Sequence, residues 1–437
     1  MKKPNLSFFQ IWNLSFGFLG VQIGYSLQNG NTSRILSALG ADVHELSYFW
    51  LAAPLAGLVV QPIVGLSSDK TWTRLGRRVP FILGGAIASA IAMFFMPNSE
   101  FFAHIVPAVF FGGFVLLFMD TAFNVTMQPF RALVGDMVNE EQKNLGYSIQ
   151  SFLINAGAVL GSLLPYLLTA WGVANVPEAG QKVADSVVWS FYIGGGILLL
   201  TVLWTTFTTK EYAPKEYEQY NQITEEEKGR KKDIFSLLKE APTAFWQLGA
   251  VQFFSWFSLF LMWVYTTSGI AQNVWGTAPD DATSAAFNEA GNWTGVIFAV
   301  YSFFAAIYSL FIPKIASAIG RKNTYLYSLV LGGLGLLSMV FIHNQYWLFL
   351  SMLGVGIGWA AILAMPYAIL SGALPASKMG VYMGLFNGTI TIPQIAAGVL
   401  GGVILMLVGN SAVWMLGVAG LSMIIAGLFV VSVKDNG

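Results

Sequence analysis

The chain has 437 residues, of which 55% are hydrophobic and 10% charged. Soluble domains carry roughly a quarter charged residues, so a water-covered surface is excluded. Lys+Arg and Asp+Glu balance at 22 each, which gives no basic stripe for nucleic acid, and the absence of cysteine removes disulfides, thiol chemistry and Cys-bearing metal sites.

Apolar runs of the roughly 20 residues that cross about 30 Å of hydrocarbon as a helix predict spans at 8–30, 46–68, 79–96, 104–129, 146–170, 186–208, 243–270, 292–312, 324–342, 346–372, 379–405 and 411–433. The N-terminus runs from Met1-Lys2-Lys3-Pro4 into the first of them with no small-residue cleavage site, as an uncleaved span does. Placing both termini in the cytoplasm leaves only Arg34 and Lys182 in outer loops, the arrangement that the positive-inside rule requires. The expected fold class is all-α and integral to the membrane, with a six-helix bundle at 1–208, a cytoplasmic linker at 209–241 and a second six-helix bundle at 242–437. That linker contains Glu225-Glu226-Glu227-Lys228-Gly229-Arg230-Lys231-Lys232 and reads as solvated chain.

An internal repeat supports the division. The fourth span ends Met127-Gln128-Pro129-Phe130-Arg131-Ala132-Leu133 and the tenth ends Met365-Pro366-Tyr367-Ala368-Ile369-Leu370, so Pro129 aligns with Pro366 and Leu133 with Leu370. Gly76-Arg77-Arg78 after span 2 is matched by Gly320-Arg321-Lys322 after span 8. Two such halves suit a rocking transporter that holds its substrate near the midplane.

The loop Gly65-Leu66-Ser67-Ser68-Asp69-Lys70 through Arg74 and Gly76-Arg77-Arg78 resembles the inner loop between spans 2 and 3 of the major facilitators. Longer stretches are similar to one branch of that superfamily, the plant sucrose–proton symporters and their animal and bacterial relatives. They include Trp50 to Gly65, Gly76-Arg77-Arg78-Val79-Pro80, and Gln22-Ile23-Gly24-Tyr25 with Gln28. Span 4 matches at Asp120, Asn124, Pro129, Arg131-Ala132-Leu133 and Asp136, and span 11 at Asn387, Pro393 and Gln394. Where the plant proteins have an acid in span 7, this chain has Trp263, so the resemblance supplies no second acid there. It implies a major facilitator fold with twelve spans, transport of an α-glucoside such as sucrose or maltose by proton symport, and a cytoplasmic gate at Asp69, Arg77, Arg78, Arg131 and Asp136. For the basic residues the plain alternative is obedience to the positive-inside rule, and for Arg131 a snorkelling cation paired locally with Asp136.

From the residues themselves, Asp120 is the deepest acid of the span map. A carboxylate in hydrocarbon is costly and usually faces a pathway, and desolvation disfavours its charged form, so it is the candidate proton-coupling residue. A structural hydrogen bond between helices is the alternative. Asn124, Gln128 and Arg131 follow on the same helix face. Sugars need hydrogen-bonding amides together with flat apolar surfaces, which makes Asp120, Asn124, Gln22, Tyr25, Gln61, Asn155, Trp256, Trp359, Asn387 and Gln394 the candidate substrate contacts. For the aromatics, packing between helices or in interfacial belts is the plain alternative.

No Walker lysine motif points to ATP, and His44, His104 and His343 lie near predicted outer ends of spans, away from any intramembrane zinc site. Expected, then, are no metal and no cofactor beyond protons as coupling ion, a small sugar as ligand, lipid as surroundings, no nucleic acid, and a monomer. The short extensions favour a bacterial inner membrane. A passive sugar facilitator and a drug–proton antiporter remain compatible with the same fold. A membrane sugar sensor would need a signalling tail and an intramembrane enzyme a nucleophile–base pair, neither of which the sequence shows.

Overall fold

The computed structural model describes residues 3–221, 238–279, 281–373, 382 and 385–435. The helices of the first half are α1 (Phe8–Ala38), α2 (Leu46–Phe49), α3 (Ala52–Lys70), α4 (Val79–Phe95), α5 (Ala108–Met137), α6 (Lys143–Ala170), α7 (Asp185–Thr208) and α8 (Pro214–Asn221). Those of the second half are α9 (Thr243–Val274), α10 (Ala285–Ile319), α11 (Arg321–Ser338), α12 (Leu348–Ala373), α13 (Gly388–Leu407) and α14 (Ala412–Val430). Helices close every backbone hydrogen bond within the segment, which is what a lipid surrounding demands.

Among the described residues, ten helical stretches are long and apolar enough to cross a membrane, with α2 and α3 forming one of them at Leu46–Gly65. The two other expected spans have helices as well. α4 is apolar but has 17 residues, whereas α1 has 31 residues and carries Asn13, Gln22, Gln28, Asn31 and Arg34. The set fits twelve spans.

Several boundaries differ from the sequence expectation. α1 continues to Ala38, so Arg34 lies inside a helix and is buried rather than in an outer loop. α5 runs past Pro129 to Met137, because a proline inside a membrane helix costs one hydrogen bond that neighbouring groups can replace. Arg131 and Asp136 therefore sit on helical backbone. α10 begins at Ala285 and ends at Ile319, longer at both ends than 292–312. The expected linker segment Glu225 to Lys232 and the first residues of span 11 lie outside the described residues.

Close helix approach uses small residues. A Cβ at Gly354 of α12 would stand 2.5 Å from the Leu331 carbonyl oxygen of α11, and one at Gly356 would stand 2.6 Å from that of Tyr301 on α10. The triplet Gly354, Gly356 and Gly358 is thus a two-sided contact face.

Contacts divide the chain into two compact units. The first comprises Met1–Gln28, Ala56–Leu164 and Val187–Asp233; the second comprises Asn29–Leu55, Pro165–Ser186 and Ile234–Gly437. The second unit thus holds one end of α1, α3, α6 and α7 together with all of the helices from α9 onward. Inside it, Gly398 and Gly401 of α13 receive Leu51 and Ser47, and the Trp50 indole N–H donates to Ser33 Oγ at 2.9 Å.

Candidate functional site

In the first unit, α5 carries Asp120 near its midpoint and 1% exposed. Gln28 Nε2 of α1 donates to Asp120 Oδ1 at 2.6 Å, while Oδ2 has no partner among the described residues. No cation pairs with this carboxyl among the described residues. One turn on, Asn124 donates to the Asp120 backbone oxygen at 2.8 Å and accepts from Gln61 Nε2 of α3 at 2.7 Å. Tyr25 of α1 meets Phe123 edge-on at 5.8 Å. Gln28, Asp120, Asn124 and Gln61 therefore form one polar chain across three helices. A carboxyl that offers a free oxygen beside an amide with an unmatched Oε1 can take a proton and still be hydrogen-bonded, because an amide donates to the ionised form and accepts from the neutral one.

The other amide candidates are placed less centrally. Gln22 is half-buried on α1, and Asn155 donates to the Ser151 carbonyl of its own helix at 2.9 Å. Gln394 is half-buried on α13. Asn387, expected within a span, is an exposed residue at a turn between the helical Leu385-Phe386 and α13, whose N-cap it forms.

In the second unit, Trp256 and Trp359 meet at 5.8 Å with planes at 75°. Trp263 completes a triangle, 6.3 Å from Trp256 and 6.0 Å from Trp359, and Tyr301 lies 6.5 Å from Trp359. All four stand near the midpoints of α9, α10 and α12. The Trp256 indole N–H is buried without a partner among the described residues. Trp263 is the one part-exposed residue between Ser258 and Ala271 of α9. Such a cluster offers edges and faces to the C–H surfaces of a bound ring.

The cytoplasmic gate candidates gather at the far end of α5. Arg77 Nη2 and Arg78 Nε both reach Asp136 Oδ2, at 2.7 and 3.0 Å, and Tyr217 of α8 donates to Asp136 Oδ1 at 3.0 Å. The Arg77 guanidinium also lies 3.7 Å over the Tyr217 ring. Glu211 Oε1 accepts from the backbone N–H groups of Arg77, Arg78 and Val79 at 3.0, 2.8 and 2.9 Å. Burial pushes the Glu211 carboxyl up from its ordinary value, against the pull of these donors and of Arg77. Gly76, at φ +113°, is required there, since a Cβ would come within 2.5 Å of Glu211 Oε1. Arg131 is exposed, and the described partners of Asp136 are Arg77, Arg78 and Tyr217. The Asp69 side chain lies outside the described residues. His44, His104 and His343 fall in loops.

Sequence reasoning missed Gln28 as a site residue, although it belongs to the quoted span 1 stretch. It also missed Glu211 and Tyr217, which it placed in the linker, and Tyr301, which carries no local signal. Trp263 stands out in the sequence only as a departure from the resemblance.

Compared with known proteins, the chain is 26% identical to the sucrose transport protein SUC4 of Arabidopsis thaliana over 423 residues, 87% of this chain and 81% of that one. It is 29% identical over 281 residues to the general alpha-glucoside permease of Schizosaccharomyces pombe, 61% of this chain and 48% of the relative. Among solved structures, the peptide transporter POT in complex with sulfate superimposes with a TM-score of 0.67 at 15% identity, covering 99% of this chain and 96% of the other. The nucleoside transporter NupG gives 0.65 at 16%, covering 98% and 96%. These two likenesses show the fold, that of the major facilitators. The model of the MFS/sugar transport protein family matches residues 35–412, which places this chain in that family as a multi-pass membrane transporter of sugars.

Proposed function

We propose that the chain is a sugar–proton symporter for an α-glucoside disaccharide, sucrose or maltose, working by alternating access of its two six-helix halves, with Asp120 as the proton site. The observation that carries this reading is the buried Asp120 carboxyl, with one oxygen held by Gln28 and the other unmatched. Its neutral form donates a hydrogen bond and its ionised form accepts one, so proton and sugar hydroxyl can favour the same state, which is the linkage that coupling requires. Asn124 and Gln61 offer further polar groups to hydroxyls, and Trp256, Trp263, Trp359 and Tyr301 offer apolar surface to the sugar C–H faces. The sugar chemistry is supported by the names of the relatives in Arabidopsis and fission yeast. The remaining parts of the proposal are cytoplasmic termini, a bacterial inner membrane and a monomer. The Asp136 cluster with Arg77 and Arg78 serves in it as part of the cytoplasmic gate.

The test is uptake of labelled sucrose and maltose into proteoliposomes with and without an inward proton gradient. Wild type concentrates sugar only with the gradient, and Asp120→Asn loses concentrative uptake while keeping sugar exchange. A variant that concentrates sugar like wild type overturns the coupling role. Gradient-independent uptake by wild type would instead favour a passive facilitator.

A further inference from the structure

Arg34 of α1 is 2% exposed, and its guanidinium is bound entirely by amide oxygens. Nε and Nη2 donate to Asn288 Oδ1 at 3.1 and 2.9 Å, Nη1 donates to Asn292 Oδ1 at 2.8 Å, and Nη2 also donates to Asn175 Oδ1 at 2.7 Å. The amide orientations are fixed from behind. Asn288 Nδ2 donates to the carbonyls of Thr283 and Ser284, and Asn292 Nδ2 donates to Thr169 Oγ1, which leaves both oxygens facing the cation. The face of α10 is bare where the side chain lies, since a Cβ at Gly291 would come within 2.6 Å of Arg34 Cδ. All of these groups belong to the second unit, yet Arg34, Thr169 and Asn175 come from the first half of the chain and Asn288 to Asn292 from the second.

Arg78, also buried, has Asp136 as counter-ion. Arg34 has no carboxylate partner among the described residues. A buried cation without an opposite charge is costly, and this one is held in the first two turns of α10, near the positive end of that helix dipole. The joint is thus rich in directional hydrogen bonds and poor in charge compensation. That combination suits a contact that must close in one geometry and reopen to water in every cycle.

We infer that Arg34 is the positioning residue of an outer latch, closing the non-cytoplasmic ends of α1 and the α6–α7 connection onto α10 and releasing them when the transporter opens outward. The inference rests on the alternating-access reading and on cytoplasmic termini. Its deciding readout, cysteine labelling, needs no sugar, so failure of the substrate assignment leaves it standing.

The chain has no cysteine, so a single Thr267→Cys provides a reporter. Thr267 is 3% exposed on α9, and its hydroxyl meets that of Thr294, two residues beyond Asn292. The measurement is labelling of this cysteine in intact cells by a membrane-impermeant maleimide. Arg34→Met should raise the labelling rate about tenfold by depopulating the closed state. Asn292→Asp keeps the shape and supplies the missing charge, and its second oxygen accepts from Thr169 once that hydroxyl turns from the Pro165 carbonyl, to which it now donates at 3.0 Å, so it should lower the rate severalfold and slow turnover with little change in KM. If Arg34→Met does not yield folded protein, Asn292→Asp decides alone. Unchanged or faster labelling in Asn292→Asp overturns the latch, as does a well-folded Arg34→Met that labels like the parent.

Discussion

Asp120 and Trp263 show how differently single residues announce themselves. An acid in the middle of an apolar run is visible because nothing but function or a hydrogen bond justifies its desolvation, and the structure adds what sequence had no means to supply, the Gln28 amide at 2.6 Å. Trp263 reads in sequence as one aromatic among many. Its meaning comes from meeting Trp256 and Trp359, which lie on its own helix and on α12. Trp359→Leu removes the ring that touches both other tryptophans and Tyr301. It is expected to raise the KM for sucrose roughly five- to tenfold, the size of one aromatic contact of about 1 kcal/mol or slightly more. Uptake kinetics at saturating proton gradient would check it, and an unchanged KM would leave the cluster as mere packing.

At the level of helices, each apolar run has a helix in it, whereas helix ends went astray where polar residues continue a helix. α1 and α5 each extend well beyond their expected ends because Arg34 and Asp136 find partners on other elements. Hydropathy has no access to those partners. Packing follows a similar logic. Gly354 lies against the Leu331 carbonyl oxygen, whereas Gly196 of α7 has open space in its Cβ direction. Gly354→Val should therefore cost about 1–3 kcal/mol through overpacking, seen as a lower melting temperature in detergent, while Gly196→Ala should melt within error of wild type.

For the molecule as a whole, the proposed topology of twelve spans puts both ends on one side, and the positive-inside rule predicts that side to be the cytoplasm. On the cysteine-free background, Lys3→Cys should react with an impermeant thiol reagent only in inverted vesicles and Gln181→Cys only in intact cells. Both reacting from the same side would refute the orientation. The sequence expectation of bundles at 1–208 and 242–437 follows chain order and the repeat. The compact units are drawn by contact instead, and join Asn29–Leu55 and Pro165–Ser186 to the second half.

The sequence by itself determined that this chain is a polytopic helical protein, which acid lies deep within it, and the family that its inner loop and span 4 resemble. These follow from hydropathy, charge and local order, all of which are written along the chain. Tertiary structure alone decided that Gln28 holds Asp120, that Glu211 caps the Arg77–Arg78 turn, and that Arg34 sits among three asparagines. Each of these joins residues far apart in sequence, and the hydrogen bond that gives such a pair its role exists only when the folded chain brings donor and acceptor within about 3 Å.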